Sequence, residues 1–228
     1  MASAKKPTEK KAVSKEASAK KTDAKKAPAA KKPAAPPKKK TSPKAPSNRS
    51  AVLLDAAGVT NAIKRLHDGI VGEFSTPNNM LLLGIRTRGV LIAERLRTLL
   101  EATYGKAVPT GILDITFYRD DLSRLGPNPT VRGSDLPFGI HDAIVILVDD
   151  VLYTGRTIRA AMDELSDFGR PAYVRLATLV DRGLREYPIH ADYCGLRIET
   201  RPVHHVSVML EETDDTDQVL LEERPETD

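Results

Sequence analysis

The stretch VILVDDVLYTGRT, Val145 to Thr157, decides how the rest of the chain is read. Val145, Ile146, Leu147 and Val148 close an apolar run, AIVILV (143–148), of the kind that fills a strand buried on both faces. The run meets two acids, Asp149 and Asp150, then Val151, Leu152 and Tyr153, then the polar turn Thr154, Gly155, Arg156 and Thr157. Beyond it Ile158, Ala161, Met162, Leu165 and Phe168 recur at helical spacing, and Gly169 with Pro171 ends the helix. In open α/β sheets, ligands bind past the carboxyl ends of the strands. A helix start offers unpaired N–H groups and a positive dipole end, Gly155 allows close backbone approach, and Thr154 and Thr157 add hydroxyl donors. These features suit a phosphate. Paired carboxylates suit the vicinal hydroxyls of a ribose. An isolated acid pair would read as a helix cap and a plain turn; the thirteen residues together favour a sugar phosphate.

Working outward, Ile63, Leu66, Ile70 and Phe74 predict a helix over roughly 56–74, and MLLLGI (80–85) a buried strand. A second helix is expected near 89–103, with Ile92, Leu96, Leu99 and Leu100 inward. GILDIT (111–116), YVRLATLV (173–180) and VSVML (206–210) read as further strands. This order implies an α/β domain with a largely parallel sheet. Tyr118 to Asp142 is a long irregular stretch, rich in Gly, Pro, Asp and Arg, and loops of that length are commonly functional flaps or disordered.

The net charge of +4 over 228 residues conceals a strong asymmetry. Residues 1–50 hold fifteen lysines and Arg49 against Glu9, Glu16 and Asp23, a net +13. Glu211 to Asp228 carry nine acids against Arg224, and the intervening body is close to neutral. Three segments are expected: a disordered Lys/Ala/Pro-rich tail over 1–50, a folded domain over 51–215 and an acidic tail over 216–228. The basic segment suits a polyanion-binding arm or a solubilising extension, and it holds no aromatic residue to stack on bases. Cys194 is the single cysteine, which excludes an internal disulfide and reads as a small hydrophobe. No apolar run reaches a bilayer-spanning length and the N-terminus lacks a signal-peptide core, so a cytoplasmic protein is expected. The five histidines show no zinc spacing.

VILVDDVLYTGRT resembles the phosphoribosyl-pyrophosphate (PRPP) motif of type I phosphoribosyltransferases, and its LYTGRT ending is similar to the PyrR family. GIRTRGVLIAERL (84–96), DITFYRDDLSR (114–124) and LVDRGLREYPIHADYCG (179–195) carry the same resemblance in the same order. The resemblance implies a parallel sheet flanked by helices, with a small hood over the base site. It implies a PRPP motif over 145–157, in which Asp149 and Asp150 hold the ribose. A pyrophosphate loop at Arg86, Thr87 and Arg88 would offer guanidinium forks to phosphate oxygens. Arg119 would close over the pyrophosphate, with Asp120 and Asp121 ordering that flap or holding metal-bound substrate. Asp181, Arg182 and Gly183 would lie near uracil.

The implied reaction converts uracil and PRPP to UMP and pyrophosphate, with Mg²⁺ carried on the diphosphate rather than in a dedicated protein cage. The family also implies regulation: a dimer loaded with UMP or UTP binds a pyrimidine-operon leader mRNA hairpin and promotes attenuation, and PRPP opposes this. Lys64, Arg65, Arg182 and Arg185 are the RNA-contact candidates, and a homodimer or larger oligomer is expected. Residues 1–50 have no counterpart in the family pattern. A uracil salvage enzyme without RNA regulation, and a catalytically weak nucleotide sensor, remain the alternatives.

Overall fold

A computed structural model of the protein describes residues 50–118 and 133–223. The 1–49 segment and the flap candidates Arg119, Asp120 and Asp121 lie outside the described residues. The body opens with β1 (Ser50–Leu54) and α1 (Ala56–Glu73). Asp55 caps α1 by accepting from the Gly58 N–H at 2.8 Å. There follow β2 (Met80–Ile85), α2 (Arg88–Tyr104), β3 (Thr110–Leu113) and a single 3₁₀ turn, Ile115–Tyr118. The remainder is β4 (Ile144–Leu152), α3 (Arg156–Phe168), β5 (Tyr173–Asp181), β6 (Tyr193–Arg197), β7 (His204–Met209), α4 (Glu211–Asp214) and β8 (Gln218–Glu223).

Five strands form a parallel sheet in the order β3-β2-β4-β5-β6. Its faces are covered separately, which is why β2 is buried along its whole length. On one face Ile146, Val148, Ala177 and Leu179 pack with Ile63, Leu66 and Ile70 of α1 and Ile92, Leu96 and Leu100 of α2. On the other, Val145, Leu147 and Leu176 pack with Ile158, Ala161 and Leu165 of α3. A separate antiparallel sheet, β1-β8-β7, joins the two ends of the body, with Ser50 opposite Glu222 and Met209 opposite Gln218. This small sheet is the hood.

Several expectations change. Leu99 is 38 % exposed, because the buried stripe of α2 runs through Ile92, Ala93, Leu96 and Leu100 and leaves Leu99 at its margin. Met162 and Phe168 are likewise exposed, since Ala160, Ala161, Glu164 and Leu165 supply the inward face of α3. The strand expected over 111–116 stops at Leu113. There the Asp114 carboxylate accepts from the Thr116 N–H and hydroxyl at 3.2 and 2.5 Å, a side-chain turn that competes with strand pairing. VSVML belongs to the hood, not to the parallel sheet. The acidic tail expected from residue 216 instead contains β8, the middle strand of the hood.

Candidate functional site

β4 runs four residues beyond the apolar core, so the acid pair sits within the strand rather than in the turn after it. Asp149 pairs in register with Thr178 of β5. Asp149 Oδ1 accepts from the Asp150 N–H at 3.0 Å, and Asp150 Oδ1 accepts from the Val151 N–H at 2.9 Å. Asp149 is 6 % exposed, and burial, reinforced by the neighbouring Asp150 charge, pushes its carboxyl well above the ordinary carboxylate range. Burial pushes Asp150 up as well, while Arg88 draws it back down.

These acids divide a cleft at the carboxyl edge of the sheet. One cavity, about 470 Å³, is lined by Arg86, Thr87, Asp114, Thr116, Asp149, Asp150 and Thr157, among others. It gathers the loops that open α2 and α3, so two helix N-termini approach it. The loop before α2 is held close: a Cβ at Gly89 would lie 2.3 Å from the Val148 carbonyl oxygen. Gly155, at φ +93°, makes the left-handed turn that starts α3, which suits glycine. The second cavity, about 580 Å³, lies under the hood, where Asp150, Val151, Tyr153, Arg182 and Arg88 face His205, Ser207, Met209, Asp214 and Glu222. Asp150 and Val151 line both cavities.

The expected pyrophosphate loop is split between the two. Arg86 faces the first cavity, with Nε 3.7 Å from Asp114 Oδ2 and one amino group donating to the Gly133 carbonyl at 3.2 Å. Arg88 turns to the second cavity and donates to Asp214 of α4 at 3.3 Å. α4 places Asp214 over the helix start, within reach of this guanidinium.

The segment expected around uracil also holds the structure together. Asp181, Arg182, Gly183 and Arg185 form a collar behind the Thr154–Thr157 turn. Arg182 is 4 % exposed and donates to Thr200 Oγ1 and to the Arg201 and His204 carbonyls at 3.1, 3.2 and 2.6 Å. Its guanidinium lies 4.0 Å from the centre of the Tyr153 ring. It thus ties the hood to the turn and still lines the second cavity. Asp181 accepts from the Gly183 N–H and from Arg185. Arg182 and Arg185 are therefore turned inward, where the sequence reading expected them on an RNA face. Arg65 is committed to the Gly195 carbonyl at 2.6 Å, whereas Lys64 is exposed and pairs with Asp68.

Asp114 is the chief residue that the sequence reading missed. It is 6 % exposed, lines the first cavity, and its N–H donates to Ser134 Oγ, which in turn donates to Glu164 of α3. Its signal was an acid directly after the apolar strand GIL, the same arrangement as Asp149 after VILV. The hood residues Ser207 and Glu222 gave no such signal, because their place follows from strand pairing between distant segments.

Comparison with known proteins agrees with this geometry. Residues 51–213 match the Phosphoribosyl transferase domain family. The chain is 48% identical over 176 residues to the bifunctional protein PyrR of Syntrophobacter fumaroxidans, covering 77% of this chain and 95% of that protein. It is 48% identical over 178 residues to the bifunctional protein PyrR of Bacillus subtilis, covering 77% and 98% respectively. Among solved structures, the hypoxanthine phosphoribosyltransferase of Trypanosoma cruzi superposes with a TM-score of 0.58 at 18% identity, over 77% of this chain and 97% of that one. A hypoxanthine phosphoribosyltransferase of Staphylococcus aureus gives 0.56 at 19%, over 77% and 93%. At that identity the likeness is one of fold, whereas the sequence relatives fix the family: the chain belongs to the PyrR family of phosphoribosyl transferase domain proteins.

Proposed function

We propose that this chain transfers the phosphoribosyl group of PRPP to uracil, giving UMP and pyrophosphate, and that nucleotide in the same cleft governs binding of a pyrimidine-operon leader mRNA. The observation that carries the reading is the divided cleft, with Asp149 and Asp150 at the junction of a polar cavity and a hood cavity. The 5′-phosphate belongs on the Thr154–Thr157 turn, the ribose hydroxyls on the acid pair, the diphosphate beside Arg86 and Thr87, and the base under the hood. As the bond to pyrophosphate breaks, positive charge develops at the anomeric carbon. A uracil ring nitrogen attacks that carbon, and Asp150 lies where its carboxylate stabilises the charge. Asp149, more deeply buried, holds the sugar and the strand end.

The donors fit a magnesium ion that arrives on the diphosphate. Asp114, Asp149 and Asp150 bring oxygen ligands to the first cavity, but among the described residues no group of three or more His, Cys, Asp or Glu forms a metal cage of its own. Bound there, magnesium would neutralise charge on the leaving group.

The test is UMP formation from labelled uracil and PRPP with Mg²⁺, with adenine, guanine, hypoxanthine and orotate as competitors. Uracil-selective turnover is expected. Turnover of a purine in preference to uracil would overturn the base assignment. PRPP and UMP binding without turnover would favour the nucleotide-sensing regulator. For RNA, retention of a leader hairpin should rise with UMP and fall with PRPP; indifference to both would remove the regulatory half.

A further inference from the structure

Arg185 was expected to face RNA, yet its guanidinium is buried at the back of the phosphate turn. Nε donates to the Ile189 carbonyl at 2.8 Å. One amino group is shared among the carbonyls of Tyr153 at 2.6 Å, Gly183 at 3.1 Å and Leu152 at 3.3 Å. The other donates to Asp181 Oδ1 at 2.5 Å, and both side chains are largely buried. The same collar supplies backbone donors. Arg182 N–H reaches the Leu152 carbonyl at 3.1 Å, and the Glu186 and Tyr187 N–H groups reach the Thr154 carbonyl at 2.9 and 3.0 Å.

Three consecutive carbonyls, of Leu152, Tyr153 and Thr154, therefore point into the collar. In a trans peptide the N–H points opposite to the C=O of the same plane, and Arg86–Thr87 is the only cis peptide among the described residues. Fixing those carbonyls directs the N–H groups of Tyr153, Thr154 and Gly155 the other way. Successive backbone N–H groups at a turn with a left-handed residue, followed by a helix N-terminus, form a concave anion site.

We propose that Arg185 is a positioning residue that holds the phosphate turn with its N–H groups presented to the 5′-phosphate of PRPP and UMP. It acts through the backbone of Leu152 and Tyr153 and touches no substrate. The proposal rests on the transferase reading above. It assigns to Arg185 a selective effect: ligands with a 5′-phosphate depend on it, and ligands without one do not.

The experiment compares Arg185→Gln, Arg185→Lys, Arg185→Ala and the unaltered full-length protein. Binding of UMP, PRPP and uridine is measured by calorimetry, with Tm recorded for each protein. Loss of a residue that orients a binding group from behind costs about 10–100-fold at metal sites, and the same order is expected here. UMP and PRPP affinity should fall by about tenfold in Arg185→Gln, with uridine within about twofold. Arg185→Lys, which retains charge but reaches fewer carbonyls, should lie between. Guanidinium chloride at low millimolar concentration should restore UMP binding to Arg185→Ala. Equal losses for UMP and uridine, or unchanged UMP affinity in Arg185→Gln, would overturn the proposal. Failure of the unaltered protein to bind UMP or PRPP would instead overturn the transferase reading, and this one with it.

Discussion

Asp149 shows how a site residue is held at a cost to its own fold. Its carboxyl is buried beside Asp150, and both pKa values are raised above the ordinary carboxylate range, first by burial. A raised carboxyl binds protons more tightly folded than unfolded. Its contribution favours folding at low pH and is lost as pH rises from the ordinary value of 3.8 through the raised one. At neutral pH the pair therefore opposes folding. Asp149→Asn keeps the shape and removes the charge, so it should gain about 1 kcal/mol, or about 2–4 °C in Tm for a domain of this size. Asp149→Asn with Asp150→Asn should abolish PRPP-dependent UMP formation in a folded protein. Thermal melts from pH 4 to 8 check the first point: a variant less stable than the parent at pH 7.5 would refute the charge argument. Full activity in the double variant would refute the site.

At the scale of elements, the hood is fastened to the sheet domain by Arg95 of α2. Its guanidinium holds Glu212 at 2.6 and 2.8 Å and Asp217 at 2.6 and 2.7 Å, two forked pairs, one within α4 and one just after it. Hydrogen bonding to Arg95 lowers the pKa of both acids, so this contribution is present at neutral pH and is lost as pH falls from the acids' ordinary values of 4.5 and 3.8 through the lowered ones. Arg95→Ala should cost about 1–3 kcal/mol. It should raise KM for uracil more than for PRPP, because it loosens the hood and leaves the phosphate turn alone. Arg95→Lys should recover only part of the loss, since lysine lacks the fork. Equal KM effects would show that the hood does not carry the base. The central elements were legible because local pattern determines them: β2 has the bounds expected of it, α1 ends within a residue of the expected 56–74, and α3 stops at Gly169 as expected. The hood was not, because β1 and β8 pair residues as distant as Ser50 and Glu222, and QVLLEE lies among acids that read as a tail. The site shows the same division. The acid pair and phosphate turn follow from strand, turn and helix, while the inward aim of Arg182 and Arg185 depends on carbonyls contributed by three separate segments.

For the whole molecule, charge is distributed by segment rather than spread evenly. Residues 1–49 carry fifteen lysines and Arg49, while the hood carries Glu211, Glu212, Asp214, Asp215, Asp217, Glu222 and Glu223. Arg88 and Arg95, both from α2, offset part of that acidity. Two of the four expected RNA contacts, Arg182 and Arg185, are spent on internal carbonyls, and Arg65 donates to Gly195, so the body offers fewer free cations than its sequence suggested. We propose that the N-terminal segment carries the non-specific phosphate contact. A deletion must stop before Ser50, because Ser50 pairs with Glu222 and belongs to the hood. Removal of residues 1–49 should lower affinity for a leader hairpin and flatten the dependence of log K on log salt, by about 0.7–0.9 for each lysine engaged with phosphate. Uracil turnover should stay within about twofold, since every residue that lines the two cavities lies at or beyond Ile85. Binding titrations at several salt concentrations, with the deletion beside the full chain, decide the matter. An unchanged slope would leave the segment as a solubilising extension and return any RNA contact to the exposed face around Lys64.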